Sequence, residues 1–263
     1  MKIGIFDSGL GGLIITHALK KELGKYDYLY LGDTKNLPYG DKSKEQIYEM
    51  TKKGLDYLFQ NDCKLVIVAC NSASADALRK IQQEFIPEKW PDRKALGVLI
   101  PSAEVAVEKG KNIGIICTRA TAESGAFDRE IGKFSKAKVL HQATPELVDH
   151  IEKGDYAKAH SDLRKYLDGL IQAGVDTLVL GCTHYPAIKD EARGIMGGNV
   201  AVVSQDEIIP AKLESYLKKH EEIQNFLSQG SSIRFLLSKK TKANEDFAKE
   251  LFKGEVFLEE VEL

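Results

Sequence analysis

Two cysteines of the 263-residue chain stand where a thiol can serve as a base. Cys182 follows the run Val175-Asp176-Thr177-Leu178-Val179-Leu180-Gly181 and precedes Thr183, His184, Tyr185 and Pro186. Cys70 follows Leu65-Val66-Ile67-Val68-Ala69 and precedes Asn71 and Ser72. Apolar runs rich in β-branched residues read as strands buried on both faces of a parallel sheet. The C-terminal ends of such strands are where open α/β sheets bind ligands. A thiol, with a reference pKa of about 8.5, needs a neighbour that favours the thiolate before it takes protons. Asp7, at the end of an adjacent strand, is placed to assist Cys70. His184, two residues past Cys182, is placed to hold or shuttle that thiol's proton.

The elements that must position these groups repeat. Ile3-Gly4-Ile5-Phe6-Asp7-Ser8 matches Ile113-Gly114-Ile115-Ile116-Cys117-Thr118, and each opens a half of the chain. From Ile3 to Cys70 is 67 positions and from Ile113 to Cys182 is 69, so both halves place a cysteine at nearly the same offset. Self-similarity of this kind predicts a duplicated α/β unit whose halves face each other across a cleft, one thiol on each wall. The expected fold is therefore α/β, with two pseudo-symmetric domains, each a mostly parallel sheet flanked by helices. The first domain is expected from residues 1–96 plus 207–263, and the second from 97–206.

Between the strands, Asp7-Ser8-Gly9-Leu10-Gly11-Gly12 is a glycine-rich turn feeding a helix to about Leu23. Ser43 with Gln46 forms a capping box ahead of Ile47, Met50, Leu55 and Leu58. A helix starts near Ser72 and ends before Pro87, and the break at Trp90 and Pro91 marks a crossing into the second half. Beyond it the pattern predicts a short strand from Gly97 to Ile100, a helix after Pro101, a helix from about Glu123 to Phe134 and a short one over 145–152. Helices around Leu163–Ile171 and over 207–219, a strand over 232–237, and a last helix and strand complete the chain.

Composition excludes several classes of function. A net charge of −2 and pI near 6.3, with scattered Lys and Arg, give no footprint for nucleic acid. An acid at position 7 comes too early for a signal-peptide core, and no apolar run approaches a membrane span, so a cytoplasmic protein is expected. Cys63 and Cys117 read as small core hydrophobes, and the four cysteines as free thiols. His17, His141, His150, His160 and His220 read as surface or helix-packing residues. His184 lacks a second Cys/His pair at finger-like spacing, so no metal site is expected. The glycine turn has neither a P-loop ending nor a third glycine at dinucleotide spacing.

The ordered set Asp7-Ser8-Gly9-Leu10-Gly11-Gly12, Gly32-Asp33-Thr34 with Pro38-Tyr39-Gly40, Ala69-Cys70-Asn71-Ser72-Ala73 and Gly181-Cys182-Thr183-His184-Tyr185-Pro186 resembles the cofactor-independent glutamate racemases of the aspartate/glutamate racemase superfamily. The C-terminal Arg234-Phe235-Leu236-Leu237-Ser238 and Phe257-Leu258 also fit. The resemblance implies a two-domain isomerase that interconverts L- and D-glutamate without a cofactor and supplies D-glutamate for peptidoglycan. It implies that Cys70 takes the proton from D-glutamate and Cys182 from L-glutamate, and that the Pro38-Tyr39-Gly40 loop closes on the side-chain carboxylate. It leaves open whether the protein forms a homodimer.

Two opposed thiols suit such a reaction, because inversion removes a proton from one face of a carbon and delivers another to the opposite face. An amino acid in a desolvated pocket also brings two carboxylates and an ammonium group. Ser8, Asn71, Ser72, Thr121 and Thr183, with nearby backbone N–H groups, are the expected donors, and Asp7 and His184 are expected near the ammonium group or the thiols. Asp33 either caps its loop or serves the site. The sequence departs from the family pattern at Ser72, where Thr is commoner, at Ser102 (Gly), at Phe127 (Tyr), and at Ser204-Gln205-Asp206, which replaces the usual Asp-Ser. These changes bear on substrate preference and domain contacts more than on reaction type. The alternatives are an aspartate or broad-specificity acidic amino-acid racemase of the same superfamily, a haloacid-dehalogenase-type phosphatase, which needs a second Asp where Gly9 stands, and an amino-acid-binding sensor in which both cysteines are dispensable.

Overall fold

The computed structural model describes residues 1–254 and 256–263. Its strands are β1 (Lys2–Asp7), β2 (Tyr28–Gly32), β3 (Cys63–Val68), β4 (Lys94–Gly97), β5 (Asn112–Cys117), β6 (Lys138–Ala143), β7 (Thr177–Gly181), β8 (Ala201–Val203), β9 (Ile233–Leu237) and β10 (Leu258–Glu260). They form a six-stranded sheet in the order β10-β9-β2-β1-β3-β4 and a four-stranded sheet in the order β6-β5-β7-β8. Every pairing is parallel. The order β2-β1-β3-β4 in one sheet recurs as β6-β5-β7-β8 in the other, so the two Ile-Gly-Ile strands occupy equivalent places and each cysteine follows the equivalent strand.

Burial on both faces explains the continuous apolar runs. Along β3, Leu65 and Ile67 join a core with Leu13 and Leu19, while Val66 and Val68 join another with Ile47, Leu55 and Leu58. Along β7, Leu178 and Leu180 pack with Leu163 and Leu167, and Val179 packs with Phe127 on the opposite face. The Ser43–Gln46 capping box is present at the start of the Lys44–Gln60 helix. Among the described residues no helix is long and apolar enough to cross a membrane.

Four local readings change. The Trp90–Pro91 break does not leave the first sheet, because β4 follows it and pairs with β3. The expected strand at 97–100 is instead β4 at Lys94–Gly97, and a helix already begins at Leu99. Pro101 sits in that helix's first turn, where a missing N–H costs nothing. The helix after Cys70 does not stop before Pro87: a π-helical turn over Ile81–Phe85 accommodates the proline, and helix continues to Lys89. The helix expected from Glu123 begins at Arg119, capped by Thr118, whose side chain accepts from the Thr121 N–H, and is interrupted at Gly125, where φ is +61°.

The chain leaves the first sheet after Gly97 and returns directly after β8. The Gln205–Lys219 helix puts Ile209, Leu213 and Leu217 into the core containing Leu13 and Leu19. Both crossings therefore lie at one edge of the cleft, close to the Ser102 and Gln205 departures.

Candidate active site

One narrow cavity of about 20 Å³ is lined by Ser8, the loop Leu37-Pro38-Tyr39-Gly40, Cys70, Asn71, Ser72, Thr118, Val148, Cys182, Thr183 and His184. Both thiols thus face the same hollow, one from each sheet, and each is at least 94% buried. A roomier hollow bordered by Ile67, Leu96, Ile209 and Tyr216 holds neither thiol. Among the described residues no lysine or arginine lines the thiol cavity, so a bound carboxylate would be held by hydroxyls, amides and backbone N–H groups.

Ten of the twelve residues expected at the site border this cavity, while Asp7 and Thr121 stand behind its wall. Asp7 is fully buried, and its Oδ2 accepts from the amides of Gly9 (3.1 Å) and Gly12 (3.0 Å). Thr183 donates to its Oδ1 across the cleft (3.3 Å). Burial raises the Asp7 carboxyl above the ordinary carboxylate range, against the opposing pull of His184 and the two amides. Asp7 thus shapes the glycine turn and ties it to the Cys182 loop. Thr121 acts through Thr118, which donates to it (3.0 Å) and lies 2.9 Å from the Ser72 hydroxyl.

The two thiols differ in their surroundings. Cys70 donates to the Ser8 hydroxyl at 3.3 Å. Burial and the Asp7 charge push it up to about 12, an effect the Ser8 hydroxyl and the Ala73 N–H only partly offset. Cys70 is therefore a neutral thiol, a proton donor. Cys182 has a basic partner: its Sγ is 3.7 Å from His184 Nδ1. On the other side of the ring, His184 Nε2 is 2.8 Å from Glu152 Oε1.

Glu152 was not legible as a site residue. It ends the Leu147–Glu152 helix, and its Oε1 also accepts from the Leu10 N–H at 3.1 Å. Burial alone would strip His184 of its proton, but the Cys182 sulfur and the Glu152 carboxylate hold it and raise the imidazole well above its ordinary value. The Gly11 amide also lies 3.1 Å from Nε2. Only the Glu152 pairing suits a protonated Nε2, so that pairing operates in the imidazolium. The line Glu152–His184–Cys182 can pass a proton to or from sulfur.

The glycine turn is needed for close approach. A Cβ at Gly11 would lie 2.5 Å from Thr183 Oγ1 and 2.8 Å from the His184 backbone nitrogen, and one at Gly12 would lie 2.4 Å from Asp7 Cβ. Gly11→Ala is expected to push the His184 loop outward and to lower kcat/KM by about 10²-fold, the scale of a 1 Å misplacement. Gly169→Ala, where an added Cβ meets nothing within 4 Å, should leave turnover unchanged. Steady-state kinetics on the two variants check the contrast.

Asp33, 1% exposed, accepts from Tyr39 Oη (2.7 Å), Ser238 (2.8 Å) and Asn36, and so anchors the 37–40 loop. That loop packs against the second half: a Cβ on Gly40 would be 2.8 Å from Thr118 Cβ. Cys63 and Cys117 are buried in the cores, as read from the sequence.

The chain is similar to known proteins. A family model described as Asp/Glu/Hydantoin racemase matches residues 12–206. A glutamate racemase of Jannaschia sp. is 38% identical over 239 residues, covering 85% of this chain and 87% of its own. A glutamate racemase isoform from Bacillus anthracis superposes with a TM-score of 0.90 at 27% identity, over 100% of this chain and 97% of its own. A Francisella tularensis glutamate racemase, solved in complex with D-glutamate, gives 0.87 at 27% identity, over 99% and 97%.

Proposed function

This chain belongs to the Asp/Glu/hydantoin racemase family and is an amino-acid racemase, and from that premise we propose that it interconverts L- and D-glutamate with Cys70 and Cys182 as opposed bases. The observation that carries this reading is the shared cavity: thiols from equivalent positions of two repeated sheets border one hollow. The substrate itself is read from the glutamate racemases the chain matches.

For L-glutamate, Cys182 removes the α-proton while the neutral Cys70 thiol delivers one to the opposite face. The next turnover starts from the reversed proton positions and converts D-glutamate. His184, backed by Glu152, manages the proton on Cys182. Ser8, Asn71, Ser72, Thr118 and Thr183 bind the carboxylates, and the Tyr39–Gly40 loop, anchored on Asp33, closes over the side-chain end. Fixed donors around a buried pocket stabilise the carbanion-like transition state. The reaction then needs no cofactor, and its product serves peptidoglycan assembly in the cytoplasm.

The test incubates dialysed, chelator-treated protein with each enantiomer of glutamate and of aspartate in deuterated water, following optical rotation and deuterium at Cα. Racemisation of glutamate well above aspartate, with wash-in at Cα, is the expected result. A preference for aspartate would reassign the substrate within the family. Turnover that appears only on adding pyridoxal phosphate would overturn the two-thiol mechanism.

A further inference from the structure

The cavity wall at Asn71 is held by a chain of amides and hydroxyls that reaches into the second crossing between the halves. Asn71 Nδ2 donates to Gln205 Oε1 at 3.0 Å, and Gln205 Nε2 donates back to Asn71 Oδ1 at 2.9 Å. Gln205 Nε2 also donates to Ser102 Oγ at 3.1 Å, and Ser102 Oγ donates to the Val98 carbonyl at 2.7 Å. Gln205 and Ser102 are completely buried, and Asn71 is 3% exposed. Gln205 and Ser102 are also two of the positions where this sequence departs from the family pattern.

The chain has a fixed polarity. A carbonyl can only accept, so the single Ser102 proton is committed to Val98, and Ser102 Oγ must accept from Gln205. That requirement points Nε2 of Gln205 at Ser102 and Oε1 at the Asn71 amino group. Asn71 is thereby locked with one N–H spent on Gln205 and the second N–H without a partner among the described residues. Resting on the glutamate racemase reading above, we propose that Gln205 is a positioning residue: it fixes the orientation of the Asn71 amide so that its remaining N–H is presented to a substrate carboxylate beside Cys70. Gln205 itself does not border the cavity.

A positioning role acts on substrate affinity through one named side chain. Gln205→Met keeps length and removes every hydrogen bond to Asn71. It is expected to raise KM for glutamate about tenfold, the scale of one hydrogen bond to a charged group, while kcat changes less than threefold. Both effects should vanish in an Asn71→Ala background, where no amide remains to orient, so the four proteins of the cycle give strongly non-additive KM values. A merely structural role would lower the melting temperature too, but its effect on KM would add independently to that of Asn71→Ala. Ser102→Ala supplies a second route should Gln205→Met fail to fold: it frees the Gln205 amide to turn over, and should raise KM by about twofold with the same dependence on Asn71. A wild type that racemises glutamate, with KM indifferent to these changes or additive with Asn71→Ala, overturns the positioning role alone. A wild type inactive on glutamate overturns the substrate reading, and this inference with it.

Discussion

Cys70→Ser and Cys182→Ser should each lower racemisation by roughly 10³-fold or more, and by the same factor in both directions. The symmetry is thermodynamic. Enantiomers have equal free energy, so the ratio of kcat/KM for the two substrates is fixed at one for any variant, and racemisation rates cannot say which thiol serves which face. Isotope exchange can. With Cys70 replaced, Cys182 still stands beside its imidazole at 3.7 Å and can lift the α-proton of L-glutamate and return solvent deuterium to the same face. With Cys182 replaced, Cys70 is left to do the same for D-glutamate. Each single variant is thus expected to exchange one enantiomer at least tenfold faster than the other, with opposite preferences, as read by proton NMR of the recovered amino acid.

The two exchange reactions should also differ in rate. Cys70 is a thiol pushed up to about 12 by burial and by the Asp7 charge, so it is poorly prepared to accept a proton at neutral pH. The variant that relies on Cys70 should exchange more slowly than the one that relies on Cys182. Equal exchange of both enantiomers in either variant would show a second base outside the pair, and full racemisation by both variants would remove the thiols from the mechanism.

Much of this geometry could be read from the chain because it is carried by local signals. A strand buried on both faces writes itself as Leu65–Val68 or Leu178–Leu180, and a duplicated strand order leaves two Ile-Gly-Ile openings and two equally spaced cysteines. The Ser43–Gln46 box needs only three residues of context. What stayed hidden was made by contacts across the cleft. Glu152 meets His184 from 32 positions away and Leu10 from 142, and no local pattern marks an acid at the end of a short helix as a partner for either. Thr118 was hidden by a misplaced helix start, since its capping role appears only once the helix begins at Arg119. Asp7 was legible as important, yet its contacts with the glycine turn and with Thr183 are a matter of packing. Ser102 and Gln205 stood out as departures, but 103 positions separate two residues that share a hydrogen bond.

Glu152→Gln is expected to lower kcat/KM by about 10- to 100-fold, the scale of a lost charge-assisted hydrogen bond, and to move the alkaline limb of its pH profile downward. The imidazole of His184 is fully buried and keeps its proton because the Cys182 sulfur and the Glu152 carboxylate flank it. A neutral amide at 152 can still accept from Nε2–H but supplies no charge, so the ring releases its proton at lower pH. The sign of the stability effect follows from the same shift. Folded His184 has a pKa above the ordinary 6.5, so its contribution is complete below pH 6.5 and is lost as pH rises through the folded value. The variant's deficit in unfolding free energy should therefore be largest below pH 6.5 and shrink on the alkaline side, as urea titrations across that range would read. His184→Ala goes further: it removes the proton carrier beside Cys182, and should cost about 10²- to 10³-fold in racemisation while sparing deuterium exchange from D-glutamate, which depends on Cys70, more than exchange from L-glutamate. Superimposable pH profiles for wild type and Glu152→Gln would show that the carboxylate only braces Leu10 and takes no part in holding the proton.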